Sequence, residues 1–153
     1  MTDAQPIPRT ALALGLLGLL PFLWGVVTRY VPAAQDLTLE WAGPRFVGPY
    51  VQLYFGTIVL AFQSGVLWGL AAQRDREVAS LGFALSVVPA LWAFLFTGNG
   101  PVSSALYLMA GFWAILGIDW FYWRSGMAPG WWIGFRAPLT LVIVACLAVV
   151  AFD

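Results

Sequence analysis

Five long apolar runs, separated by short polar breaks, organise this chain. A helix that crosses the hydrocarbon core of a bilayer needs about 20 mostly apolar residues. The runs over about 10–28, 46–72, 78–97, 102–122 and 131–152 meet that length. The pattern therefore predicts an all-α polytopic membrane protein, a compact bundle of five transmembrane helices forming one domain over 1–153. The breaks carry turn chemistry: GNGP (98–101) and GMAPG (126–130) combine Gly, Asn and Pro. RDRE (74–77) is a charged hinge. The longest loop, about 29–45, holds Asp36, Glu40 and Trp41. Its DLTLEW segment predicts either one or two helical turns lying flat on the membrane or a plain ordered connector.

Polar residues inside the runs need separate reasons. In the second run, FQSGVLWG (Phe62–Gly69) places an amide, a hydroxyl and two glycines among apolar neighbours. At 100° per residue, Ala61, Gly65, Gly69 and Ala72 fall within about 80° of one another. Such a small-residue stripe allows close backbone approach, which is what holds helices together in lipid. The expectation is that Gly65 and Gly69 pack on another helix, with Gly15, Gly18 and Gly25 of the first run as mates. Ser64 and Trp68 border the stripe, and Ser64 can bond a carbonyl of its own helix. Gln63 points about 180° away. Its amide needs partners that lipid does not offer, so it either bonds another helix or lines a pocket.

Pro21 and Pro89 interrupt the first and third runs, each removing a donor and displacing the carbonyl four residues back. The kinks either open a cavity or are plain shape. Asp119 is the one acid within an apolar run. Ionisable groups at that depth are costly and usually paired, so Asp119 is expected to meet Arg136 or Arg124.

Composition agrees with a lipid solvent: 61% of residues are hydrophobic and only 9% charged, against roughly 25% charged in soluble domains. Net charge is zero, which gives no case for nucleic acid. Every basic residue is Arg and there is no His, which removes the commonest metal ligand and general base. No metal-ligand set is expected. The single Cys146 lies in an apolar run and has no internal disulfide partner. VPAA (31–34) loosely resembles a cleavage site, but Asp3 and Arg9 leave no net positive charge ahead of the first run. That run is expected to remain as a membrane helix.

Five spans put Arg9, Arg74, Arg76, Arg124 and Arg136 on one side, and Arg29 and Arg45 on the other. The positive-inside rule then places the N-terminus inside and the C-terminus outside. The expected location is a bacterial inner membrane, with a cytoplasmic N-terminus and a periplasmic C-terminus. WFYW (120–123) and WW (131–132) mark interfacial belts.

On these motifs the chain resembles an uncharacterised membrane family, domain of unknown function 3429, whose members include a mitochondrial transmembrane protein. GLLPF (Gly18–Phe22) is similar to its Gly-x-x-Pro-Phe start. Tyr54 followed by FQSGVLWG is similar to its Tyr, apolar run and Phe-x-Gly-Gly-x-x-Trp-Gly. PALWA (Pro89–Ala93), Asp119 and PGWWIGFRAPLT (Pro129–Thr140) follow in the family's order. Ser64 stands in place of the first Gly, Gln63 in place of an apolar residue and Phe135 in place of a Leu. The resemblance covers roughly 14–140. It implies the fold and a membrane location, and assigns no reaction. The 9 Trp invite comparison with the five-helix tryptophan-rich sensory proteins. Their Trp-Pro-Pro loop motif has no counterpart here, so that likeness is compositional.

Two functions remain. The first is a non-enzymatic accessory, assembly or interaction subunit of a larger respiratory or photosynthetic membrane complex. The second is a binder or carrier of a lipophile, a quinone, tetrapyrrole or lipid, in a pocket between helices formed by Gln63, Trp68 and Trp92. Trp131, Arg136, Asp119, Pro21 and Pro89 complete the candidate residues, and no catalytic set is expected.

Overall fold

Lipid offers a bare backbone no hydrogen-bond partner, so each apolar run satisfies its own N–H and C=O groups as helix. A computed structural model describes residues 6–153, apart from the side chains of 76–78. Asp3, and the Arg76 and Glu77 side chains of the hinge, lie outside the described residues. The helices are α1 (Arg9–Leu17), α2 (Leu20–Tyr30), α3 (Pro32–Trp41), α4 (Tyr50–Ala71), α5 (Arg76–Phe96), α6 (Pro101–Arg124) and α7 (Trp132–Phe152). Five segments are long and apolar enough to cross a membrane: Arg9–Tyr30, Tyr50–Ala71, Ala79–Phe96, Pro101–Arg124 and Trp132–Phe152. The chain is an all-helical integral membrane protein.

The first span is broken where a single kinked helix was expected. Pro21 has no N–H, and its ring crowds the carbonyl four residues back. The helix ends at Leu17, Leu19 and Phe22 make tighter i→i−3 bonds, and α2 restarts with Pro21 in its first turn. The connector helix α3 is ten residues long, longer than DLTLEW suggested. The second span starts at Tyr50, not near Phe46, because Pro44–Phe46 forms a 3-10 turn. The residue before a proline is also pushed out of helical geometry, and Gly48 precedes Pro49. Pro89 lies inside α5, and a third proline, Pro138, lies inside α7.

GNGP and GMAPG are turns. Gly98 and Gly100 have φ of 112° and 123°, open to glycine, and Pro101 begins α6. Gly126, at φ 69°, lies just past the end of α6, where Met127 and Ala128 both donate to the Tyr122 carbonyl.

The two hairpins α4–α5 and α6–α7 make the most extensive contacts, with α2 packed on α4 and α7. Their shared core contains Phe22, Leu60, Leu67, Leu108, Phe112, Ile115 and Leu147, all fully buried. Phe22 meets Phe112 edge-on at 6.2 Å, so the break before Pro21 delivers an aromatic to the centre.

The inner face of α4 is Gln52, Gly56, Leu60, Gln63, Ser64, Leu67 and Ala71. This corrects the expectation for the small-residue stripe. Ala61, Gly65, Gly69 and Ala72 face outward, and a Cβ built on Gly65 or Gly69 meets nothing within 4 Å. The close glycine contact is made elsewhere. Gly48 lies against the backbone of Gly25, so a Cβ on Gly48 would sit 2.9 Å from the Gly25 carbonyl carbon. Of the other proposed mates, Gly15 packs under Phe135, and Gly18 meets only its own helix's backbone.

Candidate functional site

A buried polar cluster forms where α6 hands over to α7. The loop 125–131 turns the chain back, so a residue just over one turn from the end of α6 faces one just over a turn into α7. Those residues are Asp119 and Arg136. Arg136 Nε donates to Asp119 Oδ2 at 2.8 Å, and the pair is almost fully buried, with side-chain exposure of 4% and 0%. Trp132 Nε1 donates to Asp119 Oδ1 at 2.8 Å. Both carboxylate oxygens are thus engaged, which is how a charge persists away from water. Trp132 and Arg136 are four residues apart, hence on one face of α7.

The tryptophan that matters here is Trp132. Trp131, the expected candidate, packs against Trp132 and Phe135 and makes no bond to Asp119. The i, i+4 relation to Arg136 was the available signal for Trp132. Arg124, the other expected partner of Asp119, lies over the Trp120 ring at 5.4 Å. Two further buried atoms on α7, Arg136 Nη2 and Thr140 Oγ1, have no hydrogen-bond partner among the described residues. Three residues further along α6, Tyr122 Oη donates to the Gly82 carbonyl at 2.7 Å and ties α6 to α5. Chemically, this arrangement is an ionic staple. The carboxylate faces its two donors, Trp132 and Arg136.

A second polar tie explains part of FQSGVLWG. Ser64 does not bond its own helix. Its Oγ accepts from the Ala90 N–H at 2.9 Å, immediately after Pro89. A proline disturbs the helical bonding around it, and α4 supplies an acceptor at that point. Gln63 is buried on the same face, but its amide makes no hydrogen bond to another described side chain or backbone group.

The bond expected of Gln63 is made by Gln52. Its Nε2 donates to the carbonyls of Phe22 at 3.1 Å and Cys146 at 3.0 Å, joining α4 to α2 and α7. Eleven residues are close to three helical turns, so Gln52 and Gln63 share a face. That periodicity was the signal that could have found Gln52. Gly25 makes room for it: a Cβ there would lie 2.5 Å from Gln52 Cδ.

Trp68 and Trp92 do not join Gln63 around a described cavity. Trp68 is half exposed, with its ring 4.6 Å from Phe83. Trp92 packs on Phe96 and Tyr107, and its Nε1 donates to the Tyr107 carbonyl at 2.7 Å. An open groove of about 720 Å³ lies between α2 and α4 and is lined by none of the three.

Residues 7–152 match the family described as protein of unknown function, DUF3429. The chain belongs to this family. Transmembrane protein 69 of Xenopus tropicalis is 32% identical over 147 residues, which cover 92% of this chain and 53% of that protein. The chain therefore spans about half the length of this curated relative. No solved structure matches it. Within this DUF3429 chain, the four motif blocks named above fall at load-carrying contacts, with PALWA supplying Ala90. GLLPF delivers Phe22 to the core, FQSGVLWG carries Ser64 to Ala90, and PGWWIGFRAPLT closes on Asp119.

Proposed function

We propose that this DUF3429 protein is a non-catalytic interaction subunit of a larger membrane assembly, a respiratory or photosynthetic complex. The observation that carries the reading is the outward stripe Ala61, Gly65, Gly69 and Ala72, with open space over both glycines. A glycine facing lipid weakens its helix and makes few contacts. Facing another helix, it lets two backbones approach closely. The occupant of the stripe is a transmembrane helix of another subunit.

The residue inventory supports a non-catalytic role. The chain has no His, its one Cys is buried, and the Asp119 carboxylate is held by two donors. The assembly sits in a bacterial inner membrane, N-terminus cytoplasmic and C-terminus periplasmic. Arg136 belongs to the buried pair and leaves the orientation count. Arg9, Arg74, Arg76 and Arg124 then stand against Arg29 and Arg45, the same direction as before.

The test is purification at native expression in mild detergent. A stoichiometric membrane-protein companion is expected with the wild type and lost from Gly65→Leu/Gly69→Leu, whose own thermal unfolding stays unchanged. A wild-type protein that runs alone, or as copies of itself, overturns the reading. So does a companion that survives the double substitution.

A further inference from the structure

Three concavities meet at Arg45. The first is the 720 Å³ groove between α2 and α4, walled by Leu20, Trp24, Val27, Val51 and Phe55. The second, about 430 Å³, runs down the other flank of α4 toward the 98–101 turn and is walled by Leu53, Thr57, Thr97 and Ser104. Arg45, Tyr54 and Ile58 line both, so α4 forms a ridge between them. The third, about 530 Å³, is a seat at the rim formed by Pro44, Arg45, Tyr50 and Tyr54.

The charge at the fork is held in place and is not neutralised. The Arg45 guanidinium lies 5.2 Å from the centre of the Tyr54 ring. Among the described residues, the ion pairs are Arg29 with Asp153 and Arg136 with Asp119, and no carboxylate lies within ion-pair distance of Arg45. The 3-10 turn Pro44–Phe46 and the start of α4 at Tyr50 place Arg45 just outside the apolar span Tyr50–Ala71, where a headgroup would meet it.

The length of the larger groove decides the class of occupant. From Val51 to Ile58 along α4, or from Leu20 to Val27 along α2, is about 10 Å at the rise of a helix. That is most of one leaflet, half of a hydrocarbon core about 30 Å thick. A transmembrane helix would need a groove along the whole span. A chain that enters from one leaflet does not. Volumes of this size lie within the range that holds small ligands, about 300–1,000 Å³.

We propose that this fork is a binding site for one diacyl phospholipid with an anionic headgroup. The phosphate sits in the seat against Arg45. One acyl chain lies in the α2–α4 groove and the other on the opposite flank of α4, astride Tyr54 and Ile58. Selection among lipids comes from charge at Arg45, and retention comes from the two apolar walls. This site is separate from the outward glycine stripe and does not depend on the subunit role.

The experiment uses the full chain, delipidated in neutral detergent and titrated with phosphatidylglycerol or phosphatidylcholine of identical acyl chains. Retained lipid is counted by native mass spectrometry. A cationic side chain near a phosphate favours an anionic lipid about fivefold. The expected result is one phosphatidylglycerol retained about fivefold more strongly than phosphatidylcholine. Arg45→Gln brings the two level, while Arg124→Gln, at the other end of the bundle, changes nothing. Ile58→Trp, which fills the shared wall, lowers retention of both lipids without lowering the unfolding temperature. Excess inorganic phosphate does not displace the lipid. Equal retention of both lipids by the wild type, an unchanged preference in Arg45→Gln, or full displacement by inorganic phosphate each overturns the proposal.

Discussion

The hydroxyl of Ser64 accepts the backbone N–H of Ala90 across the interface between α4 and α5, at 2.9 Å. The bond lands on the residue after Pro89, where the helix is least able to satisfy itself. Ser64→Ala is therefore expected to cost about 1 kcal/mol, the usual size of an interhelical hydrogen bond in a membrane. Thermal unfolding in detergent measures it. In a Pro89→Ala background the cost of Ser64→Ala should shrink, because a regular helix no longer depends on the serine. A cost unchanged by removing the proline would separate the bond from the kink.

The buried pair of Asp119 and Arg136 predicts an asymmetry between single and double changes. Asp119→Asn leaves a guanidinium buried without its counter-charge, and Arg136→Gln leaves a carboxylate. Each is expected to destabilise by about 3–5 kcal/mol. Asp119→Leu/Arg136→Met removes both charges and should be less harmful than either single change. Folded yield and unfolding temperature read the order directly. An Asp119→Asn protein of wild-type stability would deny the staple its role.

Glycines at different places in the fold should respond in opposite ways. Gly25→Ala drives a methyl into the Gln52 side chain, with an overpacking cost of about 1–3 kcal/mol. Gly65→Ala and Gly69→Ala meet open space and should leave the isolated protein as stable or slightly more so. Gln52→Met keeps the shape, loses both carbonyl bonds, and should cost about 1 kcal/mol. Unfolding of the purified protein ranks all four.

The ends of α2 and α7 are joined by groups that respond to pH. Tyr30 Oη donates to Asp153 at 2.6 Å and Arg29 Nε donates to it at 3.1 Å. These bonds, the tyrosine's first, hold the Asp153 carboxyl below its ordinary range, near pH 4 (about 3.9) for an aspartate. A group whose folded-state value is lowered contributes above its unfolded value, and that contribution is lost as pH falls through the folded value. The protection of the Tyr30 and Val31 amides, their intrinsic exchange rate relative to the observed one, should thus be constant from about pH 8 to 5 and fall below about pH 4. Asp153→Asn should show the lowered protection already at neutral pH.

The five spans were legible in the sequence because hydrophobic length and self-satisfied backbone bonds are local properties. The need of Asp119 for an arginine was legible for a related reason. A charge in lipid requires a counter-charge wherever the chain then goes. Choosing Arg136 over Arg124 needed the loop 125–131, which folds α7 back beside α6. The inner face of α4 could not be read. In water the apolar side of a helix is the inner side. In lipid both sides are apolar, so periodicity defines two faces without ranking them. Packing against α2, α5 and α6 turned Gln52, Gln63 and Ser64 inward and left Gly65 and Gly69 outside. The sequence by itself determined how often the chain crosses the membrane. Only the tertiary structure decided what each crossing shows to its neighbours, because in this solvent it is shape and hydrogen bonding, not greasiness, that distinguish inside from outside.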